Sequence, residues 1–203
     1  MSRFFIGVDL GQSHDPTALV ILEKHKPDPQ RRGTEYEQRA RYECRHIERL
    51  KLGTSYPRVV EHVKALISCP PLTQSVALVL DYTGVGRPVA DMFKSSRLST
   101  TNYYITIHGG DSVQRDGGWY RVPQRDLIGA AQVLLQSQRL TIAKSLPEAN
   151  TLIQELLNFR IKINPETAHD SYSAWRENQH DDLVFALSLA CWMGEHQIEV
   201  CVL

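Results

Sequence analysis

The sequence predicts a mixed α/β fold in which helices cover both faces of one central β-sheet. Three observations carry this expectation: short apolar runs that stop at an aspartate, longer stretches with apolar residues at helical spacing, and alternation of the two along the chain. A chain of 203 residues, 42% hydrophobic and 23% charged, is long enough to bury about 70% of the surface its unfolded form exposes. A single domain spanning 1–203 is expected.

Phe4 to Val8 (FFIGV) reads as a buried strand that stops at Asp9 and the turn-rich LGQSHDPT. A second run, Ala18 to Leu22, follows at hairpin distance. Lys24 to Gln38 is polar, with two prolines and a glycine, and reads as a surface excursion or a long hairpin tip. In Ala40 to Leu50 the apolar groups Ala40, Tyr42, Cys44 and Ile47 only partly alternate, and a strand is expected. Tyr56 to Ile67 sets Val59, Val60, Val63, Leu66 and Ile67 at helical spacing, with Pro57 in the first turn where its missing donor costs nothing. Val76 to Leu80 (VALVL) is uninterruptedly apolar up to Asp81, the pattern of a strand covered on both faces. A helix from Gly86 to Phe93 follows the TGVG turn, then a strand from Tyr103 to Ile107 and a glycine-rich hairpin or loop from His108 to Trp119. Helices at Pro123 to Gln136 and Glu148 to Asn158 flank a brief edge strand, Leu140 to Ala143. The last helix, Asp182 to Met193, is apolar nearly all round and must be largely buried.

Composition narrows the chemistry. Lys+Arg and Asp+Glu number 23 each, so a nucleic-acid partner would be held by a local basic patch rather than by net charge. Cys44, Cys69, Cys191 and Cys201 are widely spaced without a CxxC pair, against a zinc cluster or a disulfide scaffold and for reduced intracellular thiols. No apolar run is long enough to cross a bilayer, the first residues lack a signal-peptide pattern, and no membrane partner is expected. GxSxG, HExxH, Walker A and dinucleotide GxGxxG motifs are all missing from the sequence.

What remains is a set of carboxylates at the ends of buried elements. Asp9 and Asp81 each follow an apolar strand, and if those strands are parallel neighbours their carboxylates lie about 5 Å apart in the strand-to-strand direction. Either one alone also fits a turn or a helix cap. His180, Asp181 and Asp182 open the last apolar helix, where one acid suffices as a cap. Two acids delivered to a sheet edge that already carries two more would repel, and divalent cations resolve that repulsion. Oxygen-only donors suit Mg²⁺ or Mn²⁺, and two such ions about 4 Å apart can hydrolyse a phosphodiester. Asp15 is read as a local turn or cap residue. The TGVG turn suits either a tight strand-to-helix connection or backbone close to a phosphate.

Three motifs, GVDLGQSHDPTALVIL, VLDYTGVGRPVADMF and HDDLVFALSLACW, resemble the nuclease domain of viral large terminase subunits, which package DNA into phage capsids and cut the concatemer. The helical passage VPQRDLIGAAQVLLQSQRLTIAKSLPEANTLIQELLNF is similar as well, so the likeness spans nearly the whole chain in order. The resemblance implies a ribonuclease H-like fold and a metal-dependent endonuclease for double-stranded DNA, with Asp9, Asp81, Asp181 and Asp182 as catalytic and metal-binding residues and two Mg²⁺ or Mn²⁺ ions as cofactors. It further implies the cytoplasm of a bacterial host, with transient residence at the procapsid, and a packaging ATPase domain, a portal and a small terminase subunit as partners. Because no P-loop occurs in the sequence, the nuclease domain without its ATPase is expected, as an excised domain or a separate, prophage-like product. Junction resolution, hybrid cleavage and a non-catalytic docking role in a packaging motor are the alternatives.

Two basic regions are candidates for duplex binding. Lys24 to Lys64 holds eleven Lys/Arg against six Asp/Glu, and Arg31, Arg32, Arg39, Arg41, Arg45 and Arg49 could project toward a phosphate backbone. The segment HGGDSVQRDGGWYR offers Arg115 and Arg121 beside Trp119 and Tyr120, and the resemblance maps it to a mobile hairpin near the catalytic groove. Solvated arginines paired with nearby glutamates, and aromatics anchoring a loop, explain the same residues without a ligand. His108 is read as a satisfied structural histidine ahead of a phosphate contact.

Overall fold

The structure is a computed structural model that describes residues 3–11, 15–27, 39–73, 75–84, 86–162 and 181–197. The chain order is β1 (Phe4–Asp9), β2 (Ala18–His25), β3 (Arg41–Arg49), α1 (Tyr56–Ile67), β4 (Val76–Asp81), α2 (Gly86–Ser95) and β5 (Thr100–His108), then β6 (Gln114–Asp116), β7 (Trp119–Pro123), α3 (Gln124–Gln136), β8 (Leu140–Ile142), α4 (Ala149–Lys162) and α5 (Asp182–His196). All eight strands join one sheet in the order β6-β7-β5-β4-β1-β2-β3-β8. The pairs β1–β4, β4–β5, β5–β7 and β3–β8 are parallel, whereas β1–β2, β2–β3 and β6–β7 are antiparallel. The sheet is therefore mixed, as the ribonuclease H-like resemblance implies.

The glycine-rich stretch is a hairpin, one of the two readings its sequence allows, and Trp119–Pro123 is a sheet strand parallel to β5 that the sequence did not mark. Its outer strand has three exposed residues, too short and polar to show an alternation.

Strand alternation sorts the core into two layers. Phe4, Ile6, Val8, Leu19 and Ile21 pack with Val59, Val63, Val89 and Phe93 of α1 and α2 on one face. Phe5, Ala18, Val20, Ala77 and Val79 pack with α3, α4 and α5 on the other. From Asp182 to Gly194 every residue of α5 is buried, which its all-round apolar sequence requires. A Cβ on Gly7 would lie 1.9 Å from the Ala186 carbonyl oxygen, so glycine at mid-β1 is what lets α5 cross the strand at backbone contact.

The carboxyl end of α5 is pinned by charge. Lys24 Nζ donates to the Gly194 carbonyl at 2.7 Å, placing a cation where the helix dipole is negative. Buried Arg139 pairs with Glu195 and donates to the Ala40 carbonyl at 2.9 Å, while the Tyr42 hydroxyl donates to Glu195 Oε1 at 2.7 Å. Burial pushes the Glu195 carboxyl up, but the bonds from Arg139 and Tyr42 outweigh it and hold the group below its ordinary value. Cys44 and Cys191 are buried free thiols and Cys69 is an exposed one; burial pushes Cys44 up to about 12. Cys201 lies outside the described residues.

Candidate active site

β1 and β4 run parallel with Val8 opposite Leu80, so Asp9 and Asp81 are the next facing pair at the carboxyl ends of adjacent strands. Neighbouring strands are about 4.8 Å apart. Asp9 alternates with Phe5 and Asp81 with Ala77 and Val79, which sets both acids on the α5 face. The pairing continues on either side. Asp81 faces Ile105, Ile105 faces Tyr120 and Tyr120 faces Arg115, while Asp9 faces Ala18 and Ala18 faces Arg49. One transverse row, Arg115-Tyr120-Ile105-Asp81-Asp9-Ala18-Arg49, thus has two acids inside and an arginine at each end.

Asp182 reaches this row from above. It is the first residue of α5, buried to 4% exposure, and one helical turn before Ala186, which rests on Gly7 of β1. Arg49 Nη2 lies 3.3 Å from Asp182 Oδ2. Asp181 stands at the N-cap position but makes no side-chain capping bond. The N-cap side chain is therefore not what holds the first amides of α5.

Glu155, which sequence reasoning missed, does that capping. From mid-α4 its Oε2 accepts the Leu183 and Val184 amides at 3.2 and 3.3 Å, and its Oε1 pairs with Arg49. The carboxyl is only 8% exposed, and burial pushes its pKa up to about 7. Arg49 and the two amides pull that value down while Asp182 adds to it. A signal existed in the sequence: Leu152, Glu155 and Phe159 share one helical stripe, and an acid in a buried stripe demands a partner.

Asp81 Oδ1 also accepts the Thr83 amide at 2.7 Å, the turn role weighed for it from sequence, and Thr83 Oγ1 in turn accepts the Ile107 amide at 2.8 Å. This fixes one oxygen of Asp81 and the strand end that carries it. Asp15 is half-buried in the loop before β2. His180 lies outside the described residues.

A hard divalent cation fits this donor set. The four aspartates offer only oxygen, and the Arg49 guanidinium already supplies positive charge beside Asp182. Among the described residues the group whose ligand atoms lie within 4.8 Å of one another is Glu23, His25 and Glu43, not the aspartates. It sits toward the far end of β2 and β3, and Arg45 occupies it, bonding Glu23 Oε2 at 2.8 Å and pairing with Glu43, while Arg3 takes the other Glu23 oxygen. Burial would raise the Glu23 carboxyl, yet these arginines hold it below its ordinary value.

The basic candidates divide. Arg31 and Arg32 lie outside the described residues. Arg39 precedes β3, and Arg41 opens it opposite His25, eight residues and about 26 Å of strand from the acid row. Arg115 lies on the acid face with its guanidinium 5.4 Å from the Tyr120 ring centre. Arg121 alternates with Tyr120 and so belongs to the opposite face. Trp119 stacks on Tyr104 at 4.4 Å, meets Tyr82 edge-on at 4.8 Å and carries Lys94 at 4.7 Å, so it anchors the hairpin to the sheet. Tyr120 likewise packs edge-on against Trp192 of α5 at 5.5 Å. His108 Nδ1 accepts the Gly110 amide at 3.0 Å, and the strand alternation turns this side chain away from the acids.

No protein-family model matches the sequence, and no curated relative does. Solved structures do. The chain is similar to the large terminase nuclease from thermophilic phage G20c, with a TM-score of 0.57 and 17% identity over 92% of this chain and 80% of that one. The zinc-bound form of that nuclease gives 0.54 and 19% identity, covering 92% and 78%. The manganese-soaked terminase nuclease domain of human cytomegalovirus gives 0.54 and 12% identity, covering 93% and 82%. With its mixed sheet and the buried helix laid across the central strand, the chain has the ribonuclease H-like fold of the large terminase nuclease domains.

Proposed function

We propose that this chain is a metal-dependent endonuclease that hydrolyses double-stranded DNA during phage genome packaging, with two Mg²⁺ or Mn²⁺ ions held by Asp9, Asp81 and Asp182 and Asp181 beside them. One juxtaposition carries the reading: Asp9 and Asp81 end adjacent parallel strands on the same face, and α5 brings Asp182 to them across Gly7. When bound, the ions activate a water and stabilise the departing 3′ oxygen of the phosphodiester. The chain supplies geometry. The Thr83 amide orients Asp81, the burial of α5 fixes Asp182, and Arg115 offers a phosphate contact about 14 Å along the row from Asp81, three strand spacings away. The ATPase, portal and small-subunit partners belong to this reading, as does the bacterial cytoplasm as its setting.

The test is plasmid nicking and linearisation in Mg²⁺ or Mn²⁺. Single Asp9→Asn, Asp81→Asn and Asp182→Asn variants are expected to fold and to lose at least about 100-fold in rate, because ligation and charge vanish together. Asp181→Asn is expected to lose less. Parent-like cutting by all three folded variants would refute the assignment. Linear duplex should be preferred over a four-way junction or an RNA–DNA hybrid, and a parent chain inert on all three would indicate a docking module instead.

A further inference from the structure

Glu155 is a buried acid for which the proposed hydrolysis has no direct use. Its two oxygens have separate tasks: Oε2 accepts the Leu183 and Val184 amides, and Oε1 pairs with Arg49 Nη2. The same Nη2 lies 3.3 Å from Asp182 Oδ2, so one guanidinium nitrogen is shared between Glu155 and Asp182. A helix opens with amides that need acceptors, and an acid at the N-cap or first turn usually supplies one. Here the acceptor comes from another helix, 28 residues back along the chain.

We infer that Glu155 and Arg49 form a positioning pair that keeps the carboxylate of Asp182 available to a divalent cation. Glu155 accepts the Leu183 and Val184 amides at the head of α5 and gives Arg49 an acceptor besides Asp182. Without that acceptor, Arg49 would turn wholly to Asp182 and compete with the cation for it. Neither member needs to touch DNA: Glu155 is enclosed beneath α5 and the Arg49 side chain is 19% exposed. This inference rests on the metal-dependent reading above and adds residues to it that act through Asp182.

Isothermal titration with Mn²⁺ alone, without DNA, supplies the test. Glu155→Gln keeps an amide oxygen for the two backbone donors but removes the charge that holds Arg49, and Mn²⁺ binding is expected to weaken about 10-fold or more, in the range for residues behind metal ligands. Adding Arg49→Gln removes the competitor, so the double variant should recover most of that loss. Arg49→Gln alone should bind Mn²⁺ at least as tightly as the parent while melting lower. Parent-like Mn²⁺ affinity in Glu155→Gln, or a double variant no better than Glu155→Gln, would overturn the inference. Should Glu155→Gln fail to fold, Mn²⁺ binding weakened by Arg49→Gln alone would overturn it equally, since competition requires the reverse. Asp9→Asn separates the two levels: if it leaves Mn²⁺ affinity unchanged the metal-site reading fails, whereas if it weakens binding and Glu155→Gln does not, only the positioning pair fails.

Discussion

Gly7 shows how one side chain's absence sets the site. Because a Cβ there would overlap the Ala186 carbonyl, the closest approach of α5 to β1 is fixed by backbone, and with it the height of Asp182 above Asp9. Gly7→Ala is expected to destabilise the fold by about 1–3 kcal/mol as α5 is pushed off the sheet. Cleavage at a temperature where the variant remains folded should fall too. Urea denaturation followed by plasmid cutting checks both, and an unchanged midpoint would mean that α5 shifts freely and does not set the geometry. Asp81 makes the complementary point. Its turn bond to Thr83 and its proposed ligation do not exclude each other, because a carboxylate has two oxygens and the turn uses one.

At the scale of elements, the β6–β7 hairpin decides which arginine can work with the acids. Arg115 and Arg121 are six residues apart, yet the two-residue turn and strand pairing set them on opposite faces. Arg115→Gln is therefore expected to flatten the dependence of log duplex affinity on log salt by roughly one unit, the loss of one phosphate contact, while Arg121→Gln changes it less. Fluorescence anisotropy on two unrelated duplexes, with Ca²⁺ in place of Mg²⁺, measures this. Equal effects from the two arginines, or loss on one sequence only, would contradict a phosphate contact on the acid face. Trp119 is already engaged with Tyr104, Tyr82 and Lys94, so its replacement should lower stability before it alters DNA affinity.

At the scale of the molecule, α5 is tied at both ends by half-buried ion pairs, Glu155 with Arg49 at its start and Arg139 with Glu195 at its finish. The second tie carries a pH signature. Glu195 titrates below its ordinary 4.5 in the folded chain, so its contribution is complete above that value and is lost as pH falls through the lower, folded one. Glu23, held low by Arg3 and Arg45, and Glu48, held low by His46 and His62 at 3.0 and 2.8 Å, act with the same sign. Glu195→Gln should therefore be less stable than the parent at neutral pH and show a shallower fall on acidification. Denaturation midpoints measured across the acid range check this; parallel curves would show that Glu195 is not the titrating group. Among the described residues no helix is long and apolar enough to cross a membrane.

The sequence by itself determined most elements and their order, β7 excepted, because each apolar pattern reports local burial: VALVL had to be a covered strand and LVFALSLACW a covered helix. It also marked Asp9, Asp81, Asp181 and Asp182, since acids where buried elements end are visible one segment at a time. Strand pairing was beyond it. Periodicity carries no register, and only the β1–β4 ladder makes Asp9 and Asp81 neighbours, just as only the β7 pairing parts Arg115 from Arg121. The pairing of Glu155 with Arg49 stayed hidden for the same reason. The stripe of Leu152, Glu155 and Phe159 signals that the acid needs a partner, but the partner lies 106 residues away and only folding names it.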